Sequence, residues 1–179
     1  MAQHLYKGDG TDAFSYDTYR YTFLVLLESL AGLITGGFIA VLLDMKLEAL
    51  LFLSVFFLLR SYAGGIHFKT FGKCYLGSMG IMTGVLCISK YFWIPVFVST
   101  VIMILSISVL LIIKPADLEN RSVEAIENIY FRRKLLQILV EVVLLYIIFA
   151  VMGRQQYAVL IAITTMVVVI LVLLGRWIK

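Results

Sequence analysis

Residues 60–74 read Arg60-Ser61-Tyr62-Ala63-Gly64-Gly65-Ile66-His67-Phe68-Lys69-Thr70-Phe71-Gly72-Lys73-Cys74. This basic, glycine-containing stretch divides two apolar runs, Leu47–Leu59 and Tyr75–Ser89. The same alternation of long apolar runs and short charged gaps continues along the chain. Of its 179 residues, 62% are hydrophobic and 15% charged, with two prolines. That apolar share exceeds what a soluble domain carries. Because the apolar residues come in runs and not as a one-sided stripe, the reading is an all-α, polytopic membrane helical bundle. One domain spans 1–179. The first twenty residues are polar and lack an apolar core with a small-residue cleavage site, so no secretory signal is expected.

Working outward from residues 60–74, six spans are expected: Tyr21–Leu43, Leu47–Leu59, Tyr75–Ser89, Phe92–Ile113, Leu135–Val151 and Tyr157–Leu174. The second and third are short for a hydrocarbon core of about 30 Å, which sets the gap between them at or just within the membrane surface. A re-entrant second span is the alternative. Charge supplies an orientation. Twelve of the fifteen Lys and Arg residues fall in the N-terminal segment, the second gap, the fourth gap and the C-terminus. Only Lys46, Lys90 and Arg154 fall on the other side. The positive-inside rule places both termini, residues 60–74 and the basic segment 114–134 in the cytoplasm. Topology thus accounts for the net charge of +4 without nucleic acid as a partner.

The chain has two His and two Cys, and one of each lies in the second gap. Two cysteines here do not suggest a disulfide framework. A thiolate is the reactive form of cysteine, and a free thiol titrates near about 8.5. Cys74 at the start of a helix is favoured as an anion by the N-terminal dipole, and His67 is a base able to take its proton. On one continuous helix the two residues would lie about 10 Å apart along the axis, too far for a hydrogen bond. The chain between them must bend, and Gly64, Gly65 and Gly72 permit this. Arg60, Lys69 and Lys73 are suited to holding a carboxylate or carbonyl oxygen of a peptide. Cys87 reads as an inert thiol inside the third span, and Gly77, Gly80 and Gly84 as positions that admit a close helix neighbour. Glu28 and Glu141 lie within spans, where acids are costly and functional by default. Either is placed to orient His67 or to make a structural polar contact. No metal-ligand spacing and no cofactor motif is present.

Phe57-Leu58-Leu59-Arg60-Ser61-Tyr62-Ala63-Gly64-Gly65-Ile66-His67, followed by Cys74 and Ser78, resembles the signature of the accessory gene regulator protein B family, membrane endopeptidases that process quorum-sensing propeptides in Gram-positive bacteria. The resemblance extends to Tyr19-Arg20-Tyr21, to Lys114-Pro115 and to Arg132-Arg133-Lys134. It implies that Cys74 attacks the propeptide backbone, with His67 as its base, and that Arg60 and Gly65 support the site. The acyl-enzyme is then captured within the bound peptide as a thiolactone or lactone. The implied partners are a short propeptide with an amphipathic leader and an acidic tail, membrane lipid and a second copy of the chain. No cofactor is implied. The charge of the fourth gap, including Arg132, Arg133 and Lys134, matches an acidic tail. The competing reading is a small transporter or exporter relaying protons through Glu28, Glu141 and His67.

Overall fold

The computed structural model describes residues 16–63, 71–112 and 125–177, and these are helical apart from three tight turns. Six helices follow in order: α1 Tyr16–Leu42, α2 Lys46–Ala63, α3 Phe71–Tyr91, α4 Val96–Ile112, α5 Ala125–Val151 and α6 Gln155–Trp177. No strand occurs among the described residues. Each helix coincides with one of the six apolar runs, but several bounds differ. α2 runs on from Leu59 through Arg60, Ser61 and Tyr62 to Ala63. Polar residues end an apolar run without ending a helix. Ser61 Oγ donates to Phe57 O at 2.7 Å, and Arg60 lies over the Phe56 ring at 5.6 Å from its centroid. α3 starts at Phe71, so Cys74 is in its first turn and not its first residue. α5 starts at Ala125 and draws Arg132, Arg133 and Lys134 out of the expected basic gap into a helix. α4 starts later than Phe92, because Pro95 precedes it and its carbonyl accepts the first helical bond from Ser99 N at 3.2 Å.

Two of the turns have the same design. At α1–α2, Asp44 takes a left-handed φ of 53°. Met45 N then donates back to Ala40 O at 2.9 Å and Asp44 N to Val41 O at 3.2 Å. At α5–α6, Gly153 takes φ 70°. Arg154 N donates to Phe149 O at 3.0 Å and Gly153 N to Ala150 O at 3.2 Å. These pairs of bonds satisfy the last helical carbonyls in the Schellman manner, and Asp is one of the few non-glycine residues that tolerates the left-handed position.

Helix α6 is central, packing against α2, α3, α4 and α5. Its residues Ala158 to Thr165 are buried without interruption, as a helix surrounded on all sides requires. The hydroxyls of Thr164 and Thr165 are satisfied inside the helix, donating to Leu160 O at 2.7 Å and Ile161 O at 2.8 Å. Buried Tyr146 of α5 reaches α4, its hydroxyl 2.9 Å from Ser99 Oγ and 2.8 Å from Thr100 Oγ1. α1 stands at the outside, against α2 and α3.

Among the described residues, Phe131–Val151 and Gln155–Trp177 are long and apolar enough to cross a membrane. Large apolar side chains also stand exposed along the bundle: Leu30, Ile34 and Phe38 on α1, Ile104 and Leu105 on α4, Val140, Leu144 and Ile148 on α5. Apolar surface on this scale fits a membrane protein and not a soluble one. Exposed aromatics stand at both ends, Tyr91, Phe92 and Trp93 at one and Trp177 at the other, where interfacial belts lie.

Gly80 and Gly84 of α3 are not the glycines that let helices approach. Both face open space, with nothing within 4 Å of an added Cβ. On α1, a Cβ at Gly36 would meet Met82 Sδ at 3.0 Å and Cε at 3.2 Å, and one at Gly32 would meet Met79 Cε at 3.6 Å. Gly36→Leu is therefore expected to lower the thermal midpoint in detergent, at a cost of about 1–3 kcal/mol from overpacking. Gly37→Leu, where a Cβ meets nothing within 4 Å, leaves the midpoint in place. Equal midpoints for the two variants would overturn this account of the α1–α3 contact.

Candidate active site

The three described turns share one end of the bundle. Lys90 Nζ, at the end of α3, donates to Leu43 O of the α1–α2 turn at 2.6 Å. Gln155 Nε2, at the start of α6, donates to Ile94 O of the α3–α4 turn at 2.5 Å. Ser89 Oγ donates to Gln156 O at 3.5 Å. The last turn of α2 and the first turn of α3 consequently lie at the opposite end. α5 confirms this, since Tyr62 near the end of α2 meets Phe131 near the start of α5, ring centroids 6.1 Å apart. Arg60, the first turn of α3 and Arg132-Arg133-Lys134 are thus gathered at one end by the alternating course of the helices.

Arg60 is half-buried there. Its guanidinium lies over Phe56, which is buried and stacked on Phe52 at 5.2 Å and 16°. A cation over a ring that is itself held in the core has its position set by the fold. Cys74 lies in the first turn of α3 by its backbone, where the helix dipole favours an anion. Tyr75, the next residue, has its hydroxyl 2.5 Å from Thr35 Oγ1 of α1. Ser78, one turn further, is half-buried. Arg132 and Arg133 are exposed and Lys134 is half-buried. Gly64, Gly65, His67 and Lys69 lie outside the described residues, as do the side chains of Lys73, Cys74 and Glu28.

Glu141 and Glu28 lie on different helices. Glu141 is exposed on α5, between exposed Val140 and buried Val142, ten residues beyond Phe131. That is about 15 Å along the helix from the end where Arg60 and Phe131 lie, so the structure does not bring it to this site. Glu28 lies within α1. Gly32 and Thr35 of the same helix meet Met79 and Tyr75, so those two lie on its face toward α3. Cys87 is a free, half-buried thiol thirteen residues beyond Cys74 on α3. Among the described residues, no three of His, Cys, Asp and Glu come together to hold a metal. Thr35 carries no motif that marks it in the sequence, and Tyr75 is marked only by following Cys74.

The model described as accessory gene regulator B matches residues 1–173. The chain belongs to the accessory gene regulator B family. An AgrB-like protein of Clostridium perfringens is 29% identical over 126 residues, covering 66% of this chain and 56% of that protein. The matched part is thus little more than half the length of that relative. No solved structure matches. Of the signature residues, 57–63 and the backbone of Cys74 fall at the α2–α3 end.

Proposed function

We propose that the chain is a membrane-embedded cysteine endopeptidase that removes the C-terminal tail of a quorum-sensing propeptide and promotes cyclisation of the remainder. The observation that carries this reading is the placement of Cys74 in the first turn of α3, with His67 among the seven residues that separate α3 from α2. In the reaction, the Cys74 thiolate attacks the scissile carbonyl carbon after His67 takes the thiol proton. The C–N bond breaks, His67 returns the proton to the leaving amine, and a thioester joins the peptide to Cys74. A thiol or hydroxyl within the bound peptide then attacks that thioester. Its proton passes to the departing Cys74 sulfur by way of His67, and the ring closes. Exchange between thioesters is nearly isoenergetic, so a cysteine enzyme hands its acyl group to a substrate thiol without a steep loss. Exclusion of water at a membrane edge favours ring closure over hydrolysis.

The remaining roles follow from position. Arg60, held by Phe56, is suited to a peptide carbonyl or carboxylate. The exposed Arg132 and Arg133 are suited to an acidic tail. Glu28, within α1, is the acid assigned to orient His67. In this proposal all six helices cross the bacterial cell membrane, both termini and the site face the cytoplasm, and the chain works as a homodimer among lipids. The test is a covalent one. After mixing with a synthetic propeptide bearing a central Cys and an acidic tail, intact-mass spectrometry is expected to show the tail-less acyl group on Cys74, removable by hydroxylamine. A cleaved peptide with no hydroxylamine-sensitive adduct at any time would rule out the acyl-enzyme.

A further inference from the structure

Helix α3 is held to α1 at both ends. Lys90 Nζ reaches Leu43 O near one end, and the hydroxyls of Tyr75 and Thr35 meet near the other. Between them the glycine face of α1 lies against Met79 and Met82. The Thr35–Tyr75 bond differs from the rest because it joins two side chains, is partly buried, and falls at the residue directly after Cys74, where the first turn of α3 ends. A phenylalanine at 75 and a valine at 35 would fill the same apolar space. A hydroxyl pair there adds direction: it is satisfied in one rotational setting of the helix and broken in others. The direction taken by residue 74 depends on that setting, since consecutive residues on a helix are fixed about 100° apart.

We propose that the Thr35–Tyr75 hydrogen bond is a positioning clamp for the nucleophile. It sets the rotation of the first turn of α3, and so the approach of the Cys74 sulfur to its base and to the scissile carbonyl. Thr35 and Tyr75 are positioning residues that act through Cys74, and α1 thereby becomes part of the active site. This inference rests on the cysteine-peptidase reading above.

The test uses the full chain in detergent with iodoacetamide as the probe, and mass spectrometry reads Cys74 and Cys87 separately. Tyr75→Phe and Thr35→Val are expected to slow carbamidomethylation of Cys74 by about tenfold, within the loss of up to about 10²-fold that a small misplacement of a reacting group causes. Thr35→Ser retains the hydroxyl and is expected to keep the parent rate. Labelling of Cys87 and the thermal midpoint stay unchanged in all three. Unchanged Cys74 labelling in Tyr75→Phe and Thr35→Val, from a parent that labels faster than a free thiol, overturns the clamp and leaves the nucleophile standing. Slowing of Cys87 together with Cys74, with no rescue by Thr35→Ser, shows a general loosening of the fold and also overturns it. A parent Cys74 that labels no faster than a free thiol overturns both readings.

Discussion

Replacing Cys74 by alanine is expected to abolish release of the propeptide tail, with a loss of at least about 10³-fold, because removal of a covalent nucleophile leaves only binding and polar stabilisation. Cys87→Ala is expected to leave the rate unchanged. The two thiols lie on one helix, yet thirteen residues and about 20 Å of rise separate them, which takes Cys87 away from the end that carries Arg60 and the first turn of α3. Cys74→Ser should also fail, since an oxygen ester does not pass its acyl group to a thiol as easily as a thioester does. The measurement is tail release on co-expression with the propeptide, followed by gel and mass. Continued cleavage by Cys74→Ala would remove Cys74 from the chemistry. If instead the chain moves a solute whose flux depends on Glu28 and survives Cys74→Ala, the transporter reading takes its place.

His67→Ala should lower the rate of tail release by about 10²–10⁴-fold, the range a positioned general base contributes. Free imidazole in the assay is expected to restore part of the lost rate, and His4→Ala to have no effect. The partial rescue separates a lost proton acceptor from a misfolded helix end, because a small soluble base cannot repair helix packing. His67→Ala activity equal to the parent would assign the base elsewhere, with Glu28 the first residue to examine.

Much of the architecture follows from one-dimensional information. An apolar run long enough to bury its backbone in lipid must be helical, because no water is available there to satisfy its N–H and C=O groups. The six apolar runs are visible as six helices, and among the described residues two of these are long and apolar enough to cross a membrane. Their ends are less visible, because hydropathy marks where apolar residues stop and hydrogen bonding marks where a helix stops. Arg60 and Ser61 end the apolar run after Leu59 without ending α2, as their side chains find partners on its last turns. Arg132, Arg133 and Lys134 look like a gap, yet they belong to α5. The glycines mislead for a related reason. Gly80 and Gly84 suggest a close helix contact, but only neighbouring helices determine which glycine is covered, and they cover Gly32 and Gly36.

The sequence by itself determined the chemistry on offer: a rare His and Cys seven residues apart, a basic flank, and an alternation of charge that sends the chain back and forth. Those are properties of residue type and spacing, which survive without coordinates. The tertiary structure decided which distant residues share that end. It brought the start of α5 to the end of α2 through Tyr62 and Phe131, and left Glu141 on an exposed face. It also joined Thr35 to Tyr75 across forty positions of sequence. The physical reason is that contact between helices depends on their rotation and relative height. Both are set by the summed fit of many side chains, and no single segment carries that sum.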